Sequence, residues 1–227
     1  MRTIISTDDR QLGPFPMHRL KQVDKPTTLV TDSVQRIDRR NIAFIKAGRG
    51  DYGPAVQEYN AHFRDKLGPL THAIIDVAEH LSAIKPNEIA DSKAPLPENP
   101  TTVSRHIKSF GYFLGADCIG ICRLPAHAIY SHNLQGNPIN INYKYAVVIA
   151  SRKHYPTVAA SMGYDWIADP ISQQAYLHSA FIAQAMASYI RRLGYPASAQ
   201  HGGNNYEVQM PPLLLWAGIG EVSRLGI

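Results

Sequence analysis

Residues 104–122, SRHIKSFGYFLGADCIGIC, decide the fold class of this chain. Val103, Ile107, Phe110 and Leu114 recur at helical spacing, so they share one face of a helix that Pro100 opens and Thr101 or Thr102 caps. Gly111 weakens the end of that helix, and Gly115 is placed to close it. ADCIGIC, at 116–122, then supplies a short unbroken apolar run, the pattern of a buried strand. A helix running directly into a buried strand points to an α/β layer fold, with α+β as the alternative.

Downstream, YSHNLQGNPININYK (130–144) is rich in Asn and Gly and reads as a loop or hairpin, and YAVVIA (145–150) is a second strand. The strongest helix follows. Ser172 is its expected cap; Ala175, Ser179, Ile182, Met186, Tyr189 and Leu193 form its stripe; Arg191 and Arg192 suit the negative end of its dipole, before Gly194 and Pro196 stop it. Further strands are expected at Pro196–Gln200 and Tyr206–Met210, around a glycine hinge at HGGNN, and a short helix at PLLLWAG.

Upstream of residue 100 the pattern fades. KPNEIADSKAPLPENP (85–100) reads as a linker, and 54–81 suits two helices broken at Gly68-Pro69. Before Gly53 no period of 2 or 3.6 is sustained, so this part is expected to wrap another surface. The division that follows is an arm with helices and a Pro-rich linker at 1–95, and an α/β core at 96–227.

The chain has 227 residues, 44% of them apolar and 18% charged, which is ordinary for a globular protein. Its net charge of +5 is scattered; the densest cluster, Arg36, Arg39, Arg40, Lys46 and Arg49, reads as a solvated basic face and argues against a nucleic-acid partner. No run of about 18 apolar residues offers a membrane span. Arg39-Arg40 is followed by AGRGDYGP within a few residues rather than by a long apolar run, so it does not read as an export signal, and the cytoplasm is the expected compartment. Cys118 and Cys122 would share one face of a strand as small core residues, and no metal site is expected from them. No P-loop, GxSxG or HExxH motif occurs.

Taken in order, HIKSFGYFLGADCIGIC, YAVVIA, SYIRRLGYPA and PPLLLWAGIGEVSRLGI resemble segments of the cobalamin-dependent reductive dehalogenases and, more distantly, epoxyqueuosine reductase. The resemblance covers about residues 100–227, and the preceding arm looks like that of the cytoplasmic, catabolic branch. It implies a cobalamin-binding, nitroreductase-like fold and the reductive removal of halide from an organohalide. It also implies electrons delivered by two 4Fe-4S clusters or by a reductase partner, and a tyrosine as proton donor. A phenol gives up its proton readily only near a cation. By position before IRRLGY, Tyr176 is the first candidate for the acid and Tyr164 the second, with Arg224 as the electrostatic partner. For the cofactor, Gly202 and Gly203 permit close backbone approach and Tyr206 offers a ring to stack. The plainer readings are a packing residue for Tyr176, a helix-end cation for Arg224 and a surface turn for HGGNNY.

The departure from the family is the cysteine count. Two cysteines cannot supply four thiolates to each of two clusters, so this chain is not expected to bind them. The sequence accordingly reads as a truncated portion of a reductive dehalogenase that does not turn over alone. The competing reading is a non-catalytic cobalamin-fold module, or a cobalamin carrier, that pairs with a partner subunit.

Overall fold

The computed structural model describes residues 5–21, 23–24, 27–65, 68–163, 165–202 and 206–223. In chain order its elements are α1 (Asp9–Leu12), α2 (Ala43–Arg49), α3 (Pro54–Asp65), α4 (Pro69–Ala83), α5 (Pro100–Phe113), β1 (Cys118–Arg123), β2 (Tyr145–Ala150), α6 (Tyr155–Ala160), α7 (Pro170–Arg192) and α8 (Met210–Trp216). This is the α/β layer arrangement expected from residues 104–122.

The helix-to-strand passage forms as read, with one change at its start. Asn99, not a threonine, caps α5: its side chain accepts the Thr101 N–H at 2.9 Å, and Pro100 occupies the first turn, where no donor is needed. At the other end Gly115 and Ala116 donate to the carbonyls of Tyr112 and Gly111, the paired bonds of a Schellman cap. The chain then enters β1, which pairs antiparallel with β2 from Cys118 opposite Ala150 to Arg123 opposite Tyr145.

Strand alternation sorts these residues onto two faces. Ile119, Ile121, Val147 and Ile149 meet Ile107 and Tyr112 of α5 and Ile182 and Met186 of α7. Cys122, Ala146 and Val148 meet Leu213 and Ala217 at α8. The sheet is thus the middle of three layers. Ile119 and Ile182 are wholly shielded from solvent, which contributes about 1.5–3 kcal/mol each. At Gly120 the backbone of α8 comes so close that an added Cβ would lie 2.4 Å from the Ala217 carbonyl oxygen, so this position admits only glycine.

The arm wraps its own chain. Leu12 and Met17 belong to the core cluster of α5 and α7, and Phe15 stacks on Tyr112 with ring centroids 5.5 Å apart. Further along, Arg36 donates to the carbonyls of Ile129 (3.1 Å), Tyr130 (2.6 Å) and Ile139 (2.6 Å). The basic cluster is therefore not simply a solvated face. Arg36 clamps the 129–139 loop, Arg39 is buried, and Arg40 and Arg49 pair with Asp38 and Asp51.

Two further expectations change. Helix α7 starts at Pro170, and the Ser172 hydroxyl bonds Lys153 Nζ at 2.9 Å instead of capping the helix. Neither Pro196–Gln200 nor Tyr206–Met210 is a strand; Val208 makes only an isolated bridge to Ile129. The Gln200 side chain takes the Glu207 N–H at 2.7 Å, so a side chain occupies a donor that a ladder would need.

Helix α7 ends in a knot of bonds centred on IRRLGY. Buried Arg191 donates to Asn87 Oδ1 (2.9 Å) and to the Ala197 carbonyl (2.7 Å), while its own carbonyl accepts from Ala90. Gly194, at φ +85, turns the chain where the backbone of Lys93 lies 2.7 Å from the place a Cβ would take. The 84–99 segment is strapped to α7 by these contacts.

Candidate functional site

Of the residues singled out for chemistry, Tyr176, Gly202 and Tyr206 lie among the described residues; Tyr164, Gly203 and Arg224 lie outside them. The structure brings Tyr176 and Gly202 together. Tyr176 stands on the outer side of α7 with half its surface exposed. The 201–202 turn rests against its ring, so that a Cβ at Gly202 would fall 2.9 Å from Cδ1. Beside this pair, His201 is buried and its Nε2 lies 3.2 Å from Gln184 Nε2 on α7; burial lowers its basicity, which favours the neutral ring that can accept from the Gln184 amide.

Tyr206 occupies a different environment. The Arg39 guanidinium lies 3.8 Å above its ring centroid, and the Tyr130 ring is 6.1 Å away at a tilt of 49°. This cation–π contact joins the arm to the segment of Tyr206, against which Tyr130 of the 129–139 loop packs. Burial, with Tyr206 next to it and Arg39 opposing, pushes the Tyr130 phenol up to about 12. The sequence offered Tyr206 as a ring for a flat cofactor, yet one face of that ring is already covered by Arg39. Neither Arg39 nor Tyr130 was singled out for this place, because the contact spans distant parts of the chain.

Cys118 and Cys122 behave as strand residues. Cys122 packs in the α8-side core, and burial pushes its thiol up to about 11, away from the thiolate that metal ligation needs. Among the described residues there is no group of three or more His, Cys, Asp or Glu placed to hold a metal ion. The half-exposed Tyr176 ring and the Gly202 backbone against it form a contact surface rather than an enclosing pocket.

No family model matches the chain, and no curated protein does. Solved structures do. A lysine-to-glutamine variant of the catabolic reductive dehalogenase NpRdhA, N-terminally tagged, superposes with a TM-score of 0.81 at 34% identity over 94% of this chain and 31% of that one. NpRdhA in complex with 3-bromo-4-hydroxybenzoic acid gives a TM-score of 0.78 at 34% identity, over 92% and 31% of the two chains. A reductive dehalogenase whose structure suggests a mechanism for B12-dependent dehalogenation gives 0.78 at 34% identity, over 92% and 30%. The chain spans about a third of the length of these relatives. Over nearly its whole length, then, this chain shares the fold and the sequence pattern of the cobalamin-dependent reductive dehalogenase family.

Proposed function

We propose that this chain forms part of a cytoplasmic reductive dehalogenase that removes halide from an organohalide, with cobalamin as the reactive cofactor. The observation that carries the reading is the match to a catabolic reductive dehalogenase at 34% identity and a TM-score of 0.81 over 94% of the chain. The ligand of the related complex, 3-bromo-4-hydroxybenzoic acid, makes a halogenated aromatic compound the substrate class. Two electrons and one proton convert the carbon–halogen bond to carbon–hydrogen and release halide. Cobalamin supplies the reductive chemistry at the halogen when bound.

The residues of this chain have three tasks in that reading. The Tyr176 ring and the Gly202 backbone cover one edge of the cofactor. The Tyr176 hydroxyl holds the proton that is delivered to the carbon, and a cation, assigned to Arg224, stabilises the phenolate that remains. Tyr164 is the reserve donor. With two cysteines in the sequence, the clusters that deliver electrons belong to another region or a partner polypeptide.

The test is bromide release from 3-bromo-4-hydroxybenzoic acid by the enzyme completed with its iron–sulfur region. Wild type should release bromide, and Tyr176→Phe should lower turnover by about 100-fold or more with cobalamin content unchanged. Undiminished turnover would remove Tyr176 from the reaction, and no bromide from wild type would contradict the activity. A second reading, a cobalamin-fold module without catalysis, is favoured by the Arg39 guanidinium that covers the Tyr206 ring. It predicts that the wild-type protein completed with its iron–sulfur region releases no bromide.

A further inference from the structure

Two clefts meet at the N-terminal end of α7 and share His154 and Gln174. The larger, about 410 Å³, is walled by Arg152, Lys153, His154 and Tyr155, with Asp117 at its edge. Its volume lies within the range of about 300–1,000 Å³ usual for small-molecule sites. The smaller, about 230 Å³, lies in the seam between α4 and α7 and is lined by Leu70, Ile74, Ile167, Pro170 and Ile171. One section is cationic and the other apolar, and the side chains of His154 and Gln174 border both.

The cationic wall is held in place by local bonds. Asp117 accepts the Arg152 N–H at 2.7 Å and lies 3.5 Å from its guanidinium. Lys153 Nζ donates to Ser172 at 2.9 Å, and His154 Nδ1 is bonded to Thr157 Oγ1 at 2.5 Å, which leaves the His154 Nε2 for a ligand. Arg152 and Lys153 against Asp117 leave one positive charge in excess. Attraction for an anion is therefore built beside a seam suited to an apolar body, and Gln174 adds an amide where they join.

We propose that this joined cleft binds a small amphipathic carboxylate, an aromatic acid whose ring lies against Ile74 and Ile171 and whose carboxylate meets Arg152, Lys153 and His154. The assignment stands on the cleft alone and needs neither cobalamin nor turnover. Its failure and the failure of the dehalogenase reading are read in separate experiments.

The probes are 3-bromobenzoate and its neutral counterpart 3-bromobenzamide, titrated calorimetrically into the purified chain without cofactor. The acid should bind at least about 10-fold more tightly than the amide, the scale of one charge-assisted contact. Arg152→Gln combined with Lys153→Gln should bring the acid down to the affinity of the amide. Both side chains are exposed, and an unchanged circular dichroism spectrum would show that the fold persists. Ile74→Trp, which fills the apolar section, should weaken both probes. Equal affinity for acid and amide, no binding of either at millimolar concentration, or an acid affinity unchanged in the double variant would each overturn the assignment.

Discussion

The two sides of α7 are built from one helix and serve opposite ends. Its inner side sets Ile182 and Met186 against Ile119 and Ile107 in a dry core. Away from that core the helix leaves Tyr176 half exposed on one flank, and Phe181 half exposed with Gln174 open at the cleft on the other. The inner side is closed by apolar packing that tolerates no gap, whereas one exposed flank presents a phenol and the other an amide beside neighbouring cations. A dry core and exposed polar groups are separated across about the width of a helix.

The largest effect should come from opening the inner side. Ile182→Ala is expected to cost about 2–5 kcal/mol, since a fully buried isoleucine leaves a cavity among side chains that pack from three elements. Urea unfolding monitored by circular dichroism measures it, and a cost below about 1 kcal/mol would mean that this side is not the core described here.

Next in size is the end of the same helix. Arg191→Met removes charge-assisted bonds to Asn87 and Ala197 and should cost about 2–3 kcal/mol. It should also loosen the 84–99 strap, read as faster amide exchange at Ala90, whose N–H is bonded to the Arg191 carbonyl. Unchanged exchange there would show that the strap does not depend on the guanidinium.

A smaller effect concerns protons. Burial holds His106 and His201 below the ordinary imidazole value of 6.5. His106 accepts the Ser6 N–H at Nδ1 and so donates from Nε2 to the Tyr189 hydroxyl at 2.9 Å, an arrangement of the neutral ring. The unfolded chain takes up protons first, so their contribution is complete above pH 6.5 and is lost as pH falls through the depressed folded values. Unfolding midpoints measured from pH 8 to 5 should therefore decline, and His106→Gln should flatten the decline. A midpoint that rises toward pH 5 would reverse the sign. The smallest expected change is on the outer side: Tyr176→Phe should alter stability by less than about 0.5 kcal/mol, because the hydroxyl stands at a half-exposed surface.

The contrast between the two sides also marks what the sequence could show. Local periodicity located α5, β1, β2, α7 and α8, and the glycines at 115 and 194 sit where the turns need them. The shared face of Cys118 and Cys122 followed from strand alternation alone. What escaped were choices made by polar side chains, Asn99 replacing a threonine as cap and Gln200 diverting the Glu207 N–H, and one contact between distant segments, Arg39 folding back from the arm onto Tyr206. For the site, the pairing of Tyr176 with Gly202 joins two residues chosen for different reasons, and their contact was not part of either choice. Arg152, Lys153 and His154 were visible as three consecutive basic side chains after YAVVIA, but their apolar neighbours come from α4 and α7.

The most direct test of the account is a visible absorption titration of the purified chain with hydroxocobalamin, followed by gel filtration. Retention of the corrin with a base-off spectrum, weakened when Gly202→Val displaces the turn from the Tyr176 ring, is the predicted result. A corrin that separates fully from wild-type protein would contradict the claim that the outer side of α7 contributes a cobalamin surface.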